Sequence, residues 1–239
     1  MPHHPILILK TGSTLPDIRA RRGDFDLWIA DAMSLGAEDW RSIDVSKGAE
    51  LPDTGEFRGV VITGSPAMVS AREPWSEDAA RWVKEAVDRG LAVLGVCYGH
   101  HLLAHALGGE VGPSPGGREM GTVTVKLSRA KREDPLLHAL PVEFPAHMTH
   151  EESVLRLPPA LANMGATRQD PNSVFAVPGR RAWGVQFHPE FDAAIMKDYL
   201  KGRRETLEKE GLKPDRMIKQ VRETPEARSV LHRFAALCR

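Results

Sequence analysis

One segment of this 239-residue chain constrains its fold more than any other. Leu91-Ala-Val-Leu-Gly-Val96 offers no polar side chain at odd or even positions. A strand with one wet face alternates polar and apolar residues, whereas a strand with no polar face is covered on both sides. Ile6-Leu-Ile-Leu9 and Gly59-Val-Val-Ile-Thr63 read the same way, and Trp40 to Val45 reads as a more peripheral strand. Helical patterns lie between them. Phe25, Trp28, Ile29, Ala32 and Met33 share one face of a helix predicted over 23–35. Ala79, Trp82, Val83, Ala86 and Val87 stand at i, i+3, i+4, i+7 and i+8 of another, over 77–89. Ser76 suits its N-cap and Gly90 its C′ position. Doubly covered strands alternating with helices predict an α/β fold: a central, mostly parallel sheet flanked by helices on both faces.

The middle of the chain has a different rhythm. Gly112 to Gly117 is rich in Gly and Pro and reads as a loop. Thr122 to Leu127 alternates, and further short strands are expected near 142–147, 153–157, 162–168, 173–177 and 181–187, giving an antiparallel edge. From Phe191 onward the pattern is helical and charged. Lys201 to Lys209 reads as a solvated helix face. Thr224-Pro225 starts a helix whose Val230, Leu231, Phe234, Leu237 and Cys238 share one side. No linker separates these parts, so residues 1–239 read as one domain, with a core over about 5–190 and a helical C-terminal extension over about 191–239.

Charge and cysteine content exclude several classes. Thirty-two Lys and Arg balance 32 Asp and Glu, which argues against nucleic acid or an anionic membrane as the main partner. Two cysteines, Cys97 and Cys238, exclude a disulfide scaffold and suit a reducing compartment. The first residues, Met1 to Leu9, lack the charged start and long apolar core of a signal peptide. No apolar run reaches the roughly 18 residues of a spanning helix. A soluble, cytoplasmic protein is the expectation.

The chemistry starts at Leu94-Gly-Val-Cys-Tyr-Gly-His100, which joins the apolar strand to a short helix predicted over 100–107. A nucleophile between two glycines on a strand-to-helix turn projects from the end of the sheet, and the glycines fit where backbones crowd. The helix dipole and backbone N–H groups at such a turn stabilise a thiolate, and the next N–H, that of Tyr98, suits an oxyanion. The second element is Trp183-Gly-Val-Gln-Phe-His-Pro-Glu190. An extended backbone puts His188 and Glu190 on one side, where the carboxylate sets the tautomer of the imidazole. Cys238, on an apolar helix face, reads as a packing residue.

Together these segments resemble the class I, triad-type glutamine amidotransferases. Gly95-Val-Cys-Tyr-Gly99 resembles their nucleophile elbow, Gly184 to Glu190 their His-Pro-Glu segment, and Thr63-Gly-Ser-Pro66 their oxyanion loop. The resemblance covers about residues 5–190, and the tail is similar to that of stand-alone members related to the glutaminase domain of guanylate synthetase. It implies a flavodoxin-like three-layer fold. It also implies Cys97 as nucleophile, His188 as base and then acid, and Glu190 as orienting carboxylate, with oxyanion donors at Tyr98, Gly64 and Ser65. Ser65 stands where the family usually has a second glycine. Thr149 to Val154 resembles a segment beside bound glutamine, which implies His150 and Val154 as substrate-binding residues, with Glu152 in place of the usual Asp. His101 stands where the family commonly has a substrate-contacting Gln. A ring cannot reproduce the paired donor and acceptor of an amide, so specificity for another γ-glutamyl compound is an open alternative. His105, one turn on, is placed to pair with His101.

The implied activity is a glutaminase-type hydrolase or amidotransferase subunit that attacks the side-chain amide of glutamine and passes through a γ-glutamyl thioester, releasing ammonia and glutamate. The alternatives are a γ-glutamyl-peptide or other amide hydrolase, and a non-catalytic regulatory module. No metal or organic cofactor is expected, and no phosphate-binding loop of the G-x-x-x-x-G-K-[ST] type occurs. The partner is a small molecule, glutamine or a γ-glutamyl compound. Any ammonia-accepting synthase is expected on a separate chain.

Overall fold

A computed structural model describes residues 4–239; the expectation for the chain's first three residues lies outside it. Nine strands form the main sheet in the order β2-β1-β3-β4-β11-β10-β9-β6-β7. These are β1 (Ile6–Lys10), β2 (Trp40–Asp44), β3 (Gly59–Ile62), β4 (Ala92–Val96), β6 (Glu119–Leu127), β7 (Glu143–His150), β9 (Ala162–Ala166), β10 (Val174–Ala176) and β11 (Ala182–Val185). The pairings from β2 through β1, β3 and β4 to β11 are parallel. Those from β11 through β10, β9 and β6 to β7 are antiparallel. The parallel core and antiparallel edge are those expected from the patterning.

Alternation within the apolar strands explains the layers. Ile6 and Ile8 join an apolar cluster with Ile29 and Met33 on one face of the sheet, while Leu7 and Leu9 join another with Val83 and Leu102. The first face is covered by α2 (Phe25–Ala32) and α8 (Pro225–Leu237), the second by α3 (Pro74–Asp88) and α4 (Tyr98–Ala106). Ala227, Val230, Leu231 and Phe234 of α8 are fully buried, so the last helix forms part of the layer beneath the sheet. A third cluster joins Ile18 of α1 (Pro16–Arg22) and Phe25 to Phe191, Ile195, Tyr199 and Leu207. The last three lie on α5 (Ala193–Gly202) and α6 (Arg204–Lys209). A short helix, α7 (Pro214–Gln220), follows.

Four local expectations are corrected. The helix expected over 23–35 spans only Phe25–Ala32, because Asp24 caps its start and Gly23, at φ +83°, ends the separate helix α1 before it. The N-cap of α3 is Glu73, with Pro74 at N1. Ser76 lies inside the helix, fully buried, and its hydroxyl shares a hydrogen bond with the Tyr98 hydroxyl at 2.6 Å. The loop expected over 112–117 starts inside β5 (Glu110–Pro113), which pairs antiparallel with β8 (Glu152–Arg156) in a separate two-stranded sheet. His105 pairs with Glu77 of α3 at 3.1 Å and not with His101. Helix crossing brought that acid within reach, which spacing within one helix cannot register. Among the described residues no helix is long and apolar enough to cross a membrane.

Candidate active site

Open parallel sheets place their connections at the carboxyl ends of the strands, and sites form there. Cys97 follows β4, the turn at Gly64 follows β3, and the segment leading to His188 follows β11. Adjacent parallel pairing of β3, β4 and β11 brings the three together although they are far apart in sequence.

Cys97 takes φ +51° and is the N-cap residue of α4. This left-handed conformation is strained for a residue with a side chain. It is held by the bonds around it. The Cys97 N–H donates to the Val185 carbonyl at 2.9 Å, and the His101 N–H donates to the Cys97 carbonyl at 3.1 Å. The flanking glycines meet a packing demand. A Cβ on Gly95 would lie 2.3 Å from the Gly99 carbonyl oxygen, and one on Gly99 would lie 2.4 Å from that of Ile62. Helix α4 is therefore seated directly on the backbones of β3 and β4. Tyr98 is its first residue, so its N–H has no acceptor within the helix.

His188 is 2% exposed and Glu190 1%. The Nδ1–H of His188 donates to Glu190 Oε1 at 2.7 Å, leaving Nε2 without another partner beside the Cys97 sulfur. Its ring stacks on Phe191 at 4.2 Å and on Phe25 at 6.2 Å. Burial acts against the imidazolium, but the Glu190 carboxylate and the Cys97 sulfur more than offset it, and the pKa of His188 is pushed up to about 10.

The turn after β3 is tied down from two sides. Thr11 Oγ1 donates to the Thr63 carbonyl at 3.0 Å, and Ser65 Oγ donates to the Thr11 carbonyl at 2.7 Å while accepting from the Ala67 N–H at 3.1 Å. The Ser65 hydroxyl is thus used within the turn. Gly64 has no room for a side chain, since a Cβ there would lie 2.9 Å from His188 Cε1. Farther along, Glu152 accepts from the Val69 N–H at 2.8 Å and the Ser70 N–H at 3.2 Å.

Two cavities open beside Cys97. The smaller, about 40 Å³, is bordered by Ser65, Tyr98, His101, His150 and Glu152. The larger, about 260 Å³, is bordered by Thr14, Phe25, His188 and Tyr199. His101 is 3% exposed, and its Nε2–H donates to Gln186 Oε1 at 2.5 Å. Burial, joined by the nearby His150, lowers its pKa to about 3, so the ring is neutral. His150 is held through Nδ1 by the Glu152 carbonyl at 2.7 Å and through Nε2 by Glu119 at 3.1 Å. Val154 borders neither cavity. It is 1% exposed, in the apolar cluster that also holds Leu102, and its carbonyl accepts from Asn172 Nδ2 at 2.8 Å. Among the described residues no group of three or more His, Cys, Asp or Glu is placed to hold a metal ion.

The sequence marks Arg118 as a residue of the site wall, and it borders the smaller cavity; sequence reading missed its ion pairs and three further residues, Thr14, Tyr199 and Arg203. Arg118 forms a two-bonded pair with Glu210 of the tail, at 2.9 and 3.0 Å, and also meets Glu151 at 2.6 Å. Thr14 and Tyr199 share a hydrogen bond of 2.5 Å at the wall of the larger cavity. Arg203 borders both cavities, although it lies in the charged stretch that reads as a solvated face. Sequence spacing held no signal for these, because each depends on where the tail folds back.

A family model described as glutamine amidotransferase class-I matches residues 39–202. The chain is 39% identical over 133 residues to the GMP synthase [glutamine-hydrolyzing] of Symbiobacterium thermophilum, covering 56% of this chain and 24% of that protein. It is 29% identical over 201 residues to that of Campylobacter lari, covering 82% of this chain and 36% of that protein. The chain thus spans only about a quarter to a third of the length of these curated relatives. Two solved structures share the fold. A glutamine amidotransferase from Thermotoga maritima has a TM-score of 0.78 at 20% identity, covering 98% of this chain and 97% of that one. A glutamine amido transferase from Methylobacillus flagellatus has 0.73 at 19%, covering 99% and 93%.

Proposed function

The chain belongs to the class I glutamine amidotransferase family, and on that premise we propose that it hydrolyses the side-chain amide of glutamine or of a γ-glutamyl compound. One observation carries the reading. A cysteine held at φ +51° on the end of a central strand shares a cavity with a buried histidine whose other nitrogen is bound to a carboxylate. In this reading the Cys97 thiolate attacks the amide carbon, with the His188–Glu190 pair supporting the ion pair. The oxyanion is received by the N–H groups of Tyr98 and the Gly64-Ser65 turn, each such donor contributing about 3 kcal/mol. His188 protonates the departing nitrogen, and the same imidazole then activates water against the γ-glutamyl thioester. His101 and His150 line the acyl side. Val154, paired with Val111 of β5, serves by holding the strand that carries Glu152. The relatives are GMP synthases of which this chain matches about a quarter to a third, which supports an ammonia-accepting synthase as its partner. We read residues 1–239 as one domain, since a single apolar cluster draws on β1, β4, β7 and α8.

The test is glutamate release from glutamine by Cys97→Ala, His188→Ala and the double variant. Each single change should abolish turnover, and the double variant should lose little more, because groups that act as a unit are strongly non-additive. Glu190→Gln should be milder. Additive losses at Cys97 and His188 would refute their cooperation.

A further inference from the structure

Arg203 stands at the junction of α5 and α6, where its backbone closes the first helix and opens the second. Its side chain borders both cavities beside Cys97. Its Nε is buried without a hydrogen-bond partner, and among the described residues it forms no ion pair. The acids around the cleft are engaged elsewhere. Glu151 and Glu210 are bound to Arg118, Glu152 to the Val69 and Ser70 N–H groups, and Glu190 to His188. Glu210, the acid whose charge reaches Arg203, is already bonded to Arg118, so a half-buried guanidinium with no carboxylate bonded to it, in a cleft that ends on a nucleophile, is a site for an anionic group of the substrate.

The position of His188 decides which end of the substrate that is. An amide nitrogen expelled from the Cys97 adduct takes its proton from His188 and therefore departs on the side that His188 borders. That side holds the cavity of about 260 Å³; His188 does not border the smaller one. Ammonia is about the size of water, whose share of the liquid is roughly 30 Å³, so the space is several times what ammonia needs. Its wall is largely apolar, with Leu15, Pro16 and Phe25, and it carries Arg203 as its one cation besides His188.

Building on the hydrolase reading above, we propose that this cavity receives an amine leaving group that bears a carboxylate, and that Arg203 binds the carboxylate. The substrate class is a γ-glutamyl amide of an amino acid or short peptide. The Cys97 sulfur bonds to the γ-carbonyl carbon, the C–N bond breaks, and the amine leaves with a proton from His188. Water then adds to the thioester, giving glutamate and restoring the thiol.

The test compares γ-glutamylglycine with γ-glutamylethylamide, whose leaving groups are similar in size and differ in the carboxylate, beside glutamine. The wild-type protein should prefer γ-glutamylglycine in kcat/KM by about tenfold to hundredfold, the value of one hydrogen-bonded charge. Arg203→Met should erase that preference and Arg203→Lys should restore part of it. Labelling of Cys97 by neutral iodoacetamide at an unchanged rate would show that the variants keep the fold. No preference in the wild type, or a preference that survives Arg203→Met, overturns the proposal. An equal fall for all three substrates overturns it as well, since Arg203 would then hold the α-carboxylate common to them. Turnover of none of the three by the wild type would overturn the hydrolase reading itself, whereas turnover of glutamine alone would overturn only the assignment of the cavity.

Discussion

Cys97 is 5% exposed and Cys238 4%, so accessibility does not separate the two thiols. Their surroundings do. Burial, only partly relieved by Arg181 and Arg58, pushes the Cys238 thiol up to about 12, and its sulfur lies where a side chain on Gly59 would be, 2.4 Å from that Cβ position. Cys97 instead sits at a helix N-terminus beside a charged imidazole, at the mouth of a cavity. At neutral pH iodoacetamide should label Cys97 faster than Cys238 by at least about tenfold. Peptide mapping by mass spectrometry after partial labelling would decide, and equal rates would remove Cys97 from the role of nucleophile.

At the scale of elements, the arrangement depends on how closely α4 lies on the sheet. The two glycines around Cys97 permit that approach, and the atoms nearest Gly95 are all backbone, which cannot swing aside as a side chain can. Gly95→Ala should therefore destabilise the protein by about 1–3 kcal/mol or more, measured as a lower denaturation midpoint at unchanged slope. If Gly95→Ala were neutral, the seating of α4 would not control the strand-to-helix turn.

Across the whole molecule, buried histidines contribute to the pH dependence of stability. Burial holds His100 well below the ordinary imidazole range, His101 at about 3 and His147 at about 4, with neighbouring histidine charges adding to the effect. Each is neutral when folded and takes up a proton when unfolded below about pH 6.5. The unfolded chain thus binds more protons, and stability is lost as pH falls from about 6.5 toward the folded values. His188 has the opposite sign. Its pKa is raised to about 10, so its contribution is complete below about 6.5 and is lost as pH rises toward 10. Denaturant midpoints against pH should form a dome. His101→Gln should flatten its acid limb between about pH 6.5 and 3, by an amount on the order of a few kcal/mol, and leave its alkaline limb in place. An unchanged acid limb would mean that His101 is not buried neutral.

The parallel half of the sheet was readable because doubly buried strands leave no polar residue at any position, as Ile6 to Leu9 and Leu91 to Val96 illustrate. The Cys97 turn and the His188–Glu190 pair were readable for a related reason. Each is a short segment whose geometry follows from neighbours one or two residues away, in the glycines around Cys97 and the extended backbone through Pro189. Residues that meet only after the tail folds back were not readable. Arg118 and Glu210 are 92 positions apart and Thr14 and Tyr199 are 185, and no periodicity links such pairs. The same holds for Arg203, which a helical wheel assigns to solvent. Local sequence determined the strands, the elbow and the order of the site. The tertiary structure decided which acids of the cleft were already paired, and so left Arg203 without one bonded to it, because that depends on distances between elements and not on spacing within them.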